Sequence, residues 1–197
     1  MKRIKIIILA LLFGTISFAQ TSENPWSVGV NFNPKEYKGD LGASYFKFKN
    51  LNLNPGLTVS RYVNDFLDVN LGANYGEYSY SSELGSFSSN VLDLGLKARI
   101  KLNNGMLLKK DAKLAPYVTA GLGFNILDGF NQNDDNQNFL NIPVGGGVRW
   151  NYNDWFSIGY ELTHNINSND EYDFSTAESG NDSYLGHQIG LNFGLNL

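Results

Sequence analysis

Two histidines and a few nearby hydroxyl side chains are the residues of this sequence that could support nucleophilic catalysis. His164 and His187 lie in polar surroundings, with Ser168, Ser183 and Glu161 close to them along the chain. A serine nucleophile needs a histidine base within hydrogen-bond reach and a third group that orients the base. Nothing in the spacing of these residues fixes such an arrangement. We therefore predict no catalytic residue and interpret both histidines as interface or loop residues.

Acidic residues offer a second kind of chemistry, because carboxylate oxygens are ligands that Ca²⁺ prefers. They are concentrated in two polar segments, 127–137 and 165–182, neither of which contains a lysine or an arginine. The carboxylates lack the ordered spacing of a calcium-binding loop, so we predict a solvated surface and neither a metal site nor a cofactor. The residues concerned are Asp128, Asp134, Asp135, Asp170, Glu171, Asp173, Glu178 and Asp182.

A third set of charges occupies the polar positions of segments in which polar and apolar residues alternate. If these segments enclose a narrow interior of low dielectric constant, the charges there need partners. Counting residues from the nearest turns puts Lys97 and Glu161 at similar heights, with Arg99 and Arg149 lower. We predict a salt-bridged network that fills the interior, with a gate for small ions as the alternative. Its members are Asp68, Asp93, Lys97, Arg99, Lys101, Arg149 and Glu161.

The alternation that places these charges runs through nearly the whole chain after residue 19. It is the pattern of β-strands that have two different faces. In the last segment, for example, Leu191 and Phe193 alternate with Gly190 and Asn192. We predict eight strands, within residues 26–33, 56–60, 67–76, 92–102, 116–126, 141–151, 156–163 and 185–197.

The links between these strands alternate in length. Short links are predicted at 63–65 and 152–154, a medium one at 103–113, and long polar ones at 34–50, 79–88, 127–137 and 165–182. An even number of strands with short turns at one end and long links at the other is typical of outer-membrane barrels. We predict an all-β fold, an eight-stranded antiparallel up-and-down transmembrane β-barrel with both termini in the periplasm.

The two faces could be reversed, as in a soluble lipocalin-like barrel with an apolar interior. The interior of an eight-stranded barrel only just holds its own side chains, and the apolar face is too bulky to fit there. The polar face is rich in Gly, Asn, Ser and Thr and carries few charges, unlike an exterior in water. We therefore predict that the apolar face points outward, to lipid.

Aromatic residues cluster at the ends of the predicted strands, where a transmembrane barrel carries girdles at the two membrane interfaces. The girdle near the short links is predicted to contain Trp26, Tyr62, Phe66, Trp150, Tyr152, Trp155 and Phe156. Candidates for the girdle at the opposite end are Tyr75, Tyr78 and Tyr80.

The first 19 residues have the pattern of a secretory signal peptide. A basic start precedes the apolar run 6–13, and Ser17 and Ala19 provide the small residues of a cleavage site. We predict a cleaved signal peptide at 1–19 and a barrel domain at 20–197. Without the signal, 12 Lys and Arg stand against 19 Asp and Glu, a formal charge of −7 that disfavours nucleic acid as a partner. Because the sequence contains no cysteine, we predict that the protein has neither disulfides nor a lipoprotein anchor.

Several short motifs, in order along the chain, resemble the N-terminal β-barrel of OmpA-type outer-membrane proteins, especially the version found in Bacteroidota. The resemblance implies an eight-stranded barrel, a charged lumen and recognition by the barrel-assembly machinery. OmpA-type proteins usually continue into a peptidoglycan-binding domain, whereas the eighth predicted strand ends this sequence, so cell-wall tethering is not carried over. The motifs are 24–29 (NPWSVG), 37–42 (YKGDLG), 74–78 (NYGEY), 115–123 (APYVTAGLG), 141–148 (NIPVGGGV) and 190–193 (GLNF).

The expected function is that of a non-enzymatic integral outer-membrane protein with a structural or surface-interaction role. Outer-membrane lipid and lipopolysaccharide are its expected surroundings, and the partner of the long links is unknown. A narrow pore for small ions or solutes is the first alternative. A lipid A-modifying enzyme is the second, although His164 and Ser168 lack the close His-x-Ser spacing of the lipid A deacylases.

Overall fold

The alternating segments form antiparallel β-strands in a computed structural model that describes residues 25–38, 53–81, 86–130, 135–168 and 183–195. The predicted signal peptide lies outside these residues. No described segment forms a helix long and apolar enough to cross a membrane. The strands are β1 (Trp26–Phe32), β2 (Lys35–Lys38), β3 (Pro55–Tyr62), β4 (Leu67–Ser81), β5 (Ser86–Lys101), β6 (Leu114–Phe130), β7 (Asp135–Asn151), β8 (Phe156–Asn167) and β9 (Ser183–Leu195).

Each strand from β3 to β9 pairs with its sequence neighbour, and β1 pairs with both β3 and β9, which closes the sheet. The short strand β2 also pairs with β9, so β1 and β2 are two pieces of one barrel strand. The interruption falls at Asn33 and Pro34, where proline has no N–H to give to the ladder. His187 N still donates to Pro34 O at 2.8 Å across this break. The predicted closed, eight-stranded antiparallel barrel is confirmed.

Two tight links, 63–66 and 152–155, and one medium link, 102–113, join strands at one end of the barrel, which we call the short-turn end. In each link an asparagine side chain accepts hydrogen bonds from backbone N–H groups two and three residues ahead, the Asx-turn geometry that makes asparagine a turn residue. Asn64 Oδ1 accepts from Phe66 N and Leu67 N, both at 2.9 Å. Asn104 and Asn153 repeat the arrangement in links 102–113 and 152–155. We call the opposite end of the barrel the long-link end.

Two links at the long-link end are much shorter than predicted. The segments 79–88 and 127–137 were predicted to be long links, but β4 runs to Ser81 before β5 begins at Ser86, and β6 runs to Phe130 before β7 begins at Asp135. Both segments are rich in polar residues, so the regular alternation of apolar and polar residues that predicts a lipid-facing strand stops there. Backbone pairing does not need that alternation, and the hairpins continue beyond it.

The outward face of the barrel is apolar and exposed, while small polar residues fill the inside. Leu57, Leu71 and Leu122 are each 58–65% exposed, whereas Ser60, Asn70 and Thr119 on the opposite face of the same strands are buried. A soluble barrel with an apolar interior would show the reverse. The predicted orientation of the two faces therefore holds along the described strands.

Candidate functional site

The inside of the barrel at the long-link end is filled by apolar and aromatic side chains rather than by polar ones. The register of β5 and β6 places Val91 opposite Leu127. The rings of Tyr78 and Tyr184 meet edge to face with their centroids 5.8 Å apart. We call the group the apolar plug; its members, all at most 5% exposed, are Tyr78, Val91, Leu127, Phe139 and Tyr184.

The prediction that Tyr78 belongs to an outer aromatic girdle is wrong. Tyr75 does face outward and is 58% exposed, but Tyr78 is three residues further along the same strand and is buried. Residues at an odd spacing on a strand lie on opposite faces, so these two tyrosines cannot both face lipid. The side chain of Tyr80 lies outside the described residues.

An isolated ion pair lies next to the apolar plug. Lys35 Nζ and Asp93 Oδ2 are 2.5 Å apart, and both side chains are nearly buried. The same ammonium lies 4.6 Å from the ring centroid of Tyr184 and 5.6 Å from that of Tyr78, within cation–π range. Asp93 belongs to the predicted network, but Lys35 does not, because it lies in a segment predicted as a link. The sequence feature that could have identified Lys35 is its odd position, because the odd-numbered residues of β1 face inward.

The central layer of the lumen is one carboxylate shared by two cations. Lys97 Nζ donates to Glu161 Oε1 and, at 3.1 Å, to Gln188 Oε1. Arg99 Nη2 lies 3.4 Å from Glu161 Oε2, and the guanidinium stacks 4.2 Å from the ring centroid of Tyr117. The heights predicted for Lys97 and Glu161 agree with this contact. We call these residues the Glu161 layer.

A third layer lies nearer the short-turn end. Lys101 Nζ donates to Asp68 Oδ1 at 2.6 Å, and both side chains are at most 8% exposed. The ammonium also lies 4.1 Å from the ring centroid of Tyr62. Asp68 therefore forms an ion pair with one cationic side chain, whereas Glu161 forms ion pairs with two.

Arg149 does not join the salt bridges that were predicted for it. Neither a hydrogen bond nor an ion pair links its guanidinium to any residue in the described part of the chain. The register of β7 and β8 places Arg149 opposite Gly159, whose lack of a side chain leaves space there. Two carboxylates of the predicted network have other partners: Asp68 pairs with Lys101, and Glu161 pairs with Lys97 and Arg99.

Two cavities flank the Glu161 layer. The larger, about 420 Å³, lies at the short-turn end, where Lys101 and Arg149 face it and turn residues such as Asp154 form its rim. We call it the vestibule. The smaller, about 50 Å³, is lined by residues including Thr58, Asn74 and Gly95 and also touches Lys97 and Asp93. The lumen of the described residues is thus interrupted at two heights, by the apolar plug and by the Glu161 layer.

Most residues of the predicted aromatic girdle lie on the outward face near the short-turn end. Trp150 and Tyr152 meet edge to face at 5.7 Å, and Trp155 stacks against Phe193 at 6.1 Å. Phe66, Trp150, Tyr152 and Trp155 are exposed, whereas Trp26 and Phe156 are partly exposed.

Tyr62 departs from the girdle prediction. It lies on the inward face and lines the vestibule, while its neighbour Arg61 faces outward and stacks 5.2 Å from the Trp26 ring centroid. The alternation of the strand turns Tyr62 inward even though it lies close to the membrane interface.

The two histidines lie on the outward face of β8 and β9. His187 is buried, with Nδ1 2.8 Å from Tyr160 Oη and Nε2 3.5 Å from Glu36 Oε2. Its buried, partnered environment differs from the interface or loop position predicted for it, because β2 lies alongside β9 there. His164 is exposed, near the end of β8. No group of three or more His, Cys, Asp or Glu side chains suited to a metal ion occurs among the described residues.

Asp65 lies in a turn outside the membrane-spanning strands and connects two links. Lys110 Nζ is 2.5 Å from Asp65 Oδ2, and Tyr62 Oη donates to Asp65 Oδ1 at 2.7 Å. These hydrogen bonds, that of Lys110 first, hold the pKa of Asp65 below its usual value. The ionised carboxylate ties link 102–113 to the turn before β4 through its contact with Lys110.

The family of the protein follows from a comparison with known sequences and structures. Residues 6–196 match the sequence profile of the outer membrane protein beta-barrel domain. The chain belongs to this family. A search of curated proteins found no significant match. The predicted resemblance to eight-stranded OmpA-type barrels is confirmed at this level, and its narrower Bacteroidota character stays a prediction.

Solved structures share the fold. Neisserial surface protein A, from Neisseria, aligns with a TM-score of 0.61 at 13% identity, over 86% of this chain and 97% of that chain. Ail of Yersinia pestis, in complex with the heparin analogue sucrose octasulfate, gives 0.54 at 11% identity, over 88% and 99%. OprG from Pseudomonas aeruginosa gives 0.51 at 14% identity, over 91% and 100%. At identities of 11–14% these similarities show the fold alone. The match to the outer membrane protein family is what indicates the bacterial outer membrane as the location.

Proposed function

We propose that the protein is a non-enzymatic, closed outer-membrane scaffold whose long links have a structural or surface-interaction role. The observation that carries this proposal is the closure of the lumen at two heights, by the apolar plug and by the Glu161 layer. A channel needs a continuous path for water, whereas the side chains at both heights are packed against one another: those of the apolar plug are at most 5% exposed, and Arg99, Tyr117 and Glu161 are at most 8% exposed. A rigid barrel that does not conduct is suited to holding variable links at a membrane surface.

We place the short-turn end in the periplasm, together with both termini. β1 begins and β9 ends at this end, where Trp26 is the register partner of Leu195. Bacterial outer-membrane barrels have short periplasmic turns and longer external loops. Proteolysis of intact cells tests the orientation: cleavage is expected within residues 169–182 and not in the 152–155 turn. The reverse pattern would contradict it.

The proposed surroundings are outer-membrane lipid and lipopolysaccharide on the apolar face. The barrel-assembly machinery is the proposed partner during insertion. The alternating outward residues Ile189, Leu191 and Phe193 near the end of β9 support this role. Neither nucleic acid nor a cofactor is part of the proposal.

Planar-bilayer recording tests whether the scaffold is closed. The wild-type protein, refolded and inserted at low density, is expected to give no unitary currents at either polarity. Resolved currents from the wild type would overturn the closed scaffold.

A narrow pore is the second candidate, favoured by one observation. Only the Glu161 layer separates the vestibule from the smaller cavity. A pore gated by this layer would conduct more often when Glu161→Gln weakens its two ion pairs, with Glu77→Gln on the exposed end of β4 as the control. Equal, absent currents from both variants would end this candidate.

The absence of enzymatic activity is tested on the lipid itself. Mass spectra of lipid A from cells with and without the gene are expected to be identical. A change in acyl chains that the wild-type gene restores, and that His187→Gln fails to restore, would assign lipid-modifying activity instead.

A further inference from the structure

The half of the lumen next to the short-turn end holds more cations than carboxylates. Inside the rim, four cations (Lys97, Arg99, Lys101 and Arg149) face two carboxylates (Asp68 and Glu161) among the described residues, whereas the rim itself adds one cation, Lys110, and three carboxylates, Asp65, Asp111 and Asp154. Lipid surrounds this part of the barrel, so uncompensated charge is costly unless water or a counter-ion reaches it. The ion pairs described above occupy both carboxylates and leave Arg149 without a carboxylate partner in the part of the chain that the structure describes.

The vestibule is the space into which this excess charge opens. Its volume, about 420 Å³, is several times that of a bound water, so it has room for a small ion and its remaining hydration. Arg149 and Lys101 form its charged inner part, and hydroxyl and amide side chains such as Ser27 and Asn192 provide further donors.

Carboxylates at the rim do not neutralise Arg149. Asp65 is bound by Lys110 and Tyr62, and Asp111 and Asp154 are exposed to solvent. Two cations, Arg99 and Lys101, repel Arg149, and the carboxylate that attracts it, Asp68, is held by Lys101. The inner vestibule therefore stays cationic.

The donor set matches one class of ligand. A guanidinium presents planar, paired N–H groups that bind two oxygens of a carboxylate, phosphate or sulfate at once, which a spherical ion cannot exploit. Lys101 uses one hydrogen bond on Asp68, and an ammonium has three N–H donors. We propose that the vestibule is a binding site for a small oxyanion, held by Arg149 with Lys101 beside it.

Isothermal titration calorimetry of the refolded protein in a zwitterionic detergent tests the proposal at constant ionic strength. Sodium sulfate, phosphate and acetate are the probes, and sodium chloride is the comparison ion. Wild-type protein is expected to bind sulfate and phosphate with one saturable site. Arg149→Gln is expected to weaken binding at least tenfold, which corresponds to about 1.4 kcal/mol or more of binding free energy.

The matched control is Arg61→Gln, which removes the same charge from the outward face, where Arg61 stacks on Trp26. It is expected to bind sulfate as tightly as the wild type. Circular dichroism and heat-modified gel migration establish that each variant is folded. If Arg149→Gln does not fold, Arg149→Lys replaces it, with weaker sulfate binding expected because the paired N–H geometry is lost.

Three results would overturn the proposal. The first is wild-type protein without a saturable oxyanion site. The second is a folded Arg149 variant that binds as tightly as the wild type. The third is chloride binding as tight as sulfate binding, which would reduce the vestibule to a place for general counter-ions.

Discussion

The two halves of the lumen differ in the side chains that fill them and in the space that is left open. At the long-link end, the apolar plug and one neutral pair, Lys35 and Asp93, leave a cavity of only about 50 Å³. At the short-turn end, an excess of cations lies beside about 420 Å³ of open space. The difference indicates that paired charge can be packed as densely as apolar side chains, whereas unpaired charge is accompanied by a cavity that water can fill.

The largest effect is expected from the Glu161 layer, where the two halves meet. Glu161→Gln removes the carboxylate that serves Lys97 and Arg99 and should lower the free energy of unfolding by about 3–5 kcal/mol, because it leaves buried charges without a partner. Urea unfolding in lipid vesicles, followed by tryptophan fluorescence, measures it.

The control for this prediction is Glu77→Gln. Glu77 is exposed and accepts a hydrogen bond from Ser88 Oγ at 2.7 Å. Its substitution should change the free energy of unfolding by at most about 0.5 kcal/mol. Equal losses from the two variants would mean that the central charges are as well hydrated as those at the surface.

A smaller loss of unfolding free energy is expected when an alanine replaces a glycine in a tightly packed part of the lumen than when Glu161 is replaced, and a glycine beside open space should tolerate the same change. A Cβ at Gly145 would collide with the carbonyl oxygen of Leu162, whereas a Cβ at Gly95 would meet nothing within 4 Å. Gly145→Ala should therefore cost about 1–3 kcal/mol of unfolding free energy through overpacking. Gly95→Ala, also on the inward face, should be tolerated. A Gly95→Ala loss as large as that of Gly145→Ala would contradict the difference in packing.

The ion pair of the long-link half should behave as an isolated unit. In a double-mutant cycle of Lys35→Met and Asp93→Asn, we expect a coupling free energy of about 0.5–3 kcal/mol, since the double variant buries no charge. Chemical unfolding of the four proteins gives the value. Strictly additive losses would show that Lys35 is stabilised by the tyrosine rings rather than by Asp93.

The smallest effect is expected at the rim, where Asp65 is in contact with water. Because its folded-state pKa is lowered, the stability it contributes is present above its usual pKa and disappears as the pH falls through the lowered value. Carboxyl NMR should give a midpoint below that of an ordinary aspartate, moving upward in Lys110→Gln and in high salt. If the Asp65 carboxyl of the wild type titrates with the midpoint of an ordinary aspartate, the proposed contact with Lys110 between the two links is contradicted.

The positions of the strands, and the face on which each residue lies, could be predicted well because successive residues of a strand point alternately to lipid and to the lumen. The same alternation put Lys97 and Glu161 at one height. It could not find Lys35, because Pro34 interrupts the strand before it. It also missed the apolar plug, since Leu127 and Phe139 lie within or next to a polar segment that was predicted as a link, where the alternation no longer distinguishes the two faces.

Sequence by itself determined that this chain alternates between lipid and a polar interior through eight strands, because the period of two is a local property of an extended backbone. Only the closed barrel decided which charges meet. Glu161 contacts Lys97 and Arg99, which both lie on β5 and are 64 and 62 residues away in sequence. Among the described residues Arg149 pairs with no carboxylate, since Asp68 is held by Lys101 and Glu161 by Lys97 and Arg99. Pairing in a lumen depends on the circumference and register of the whole sheet, and no single segment encodes those.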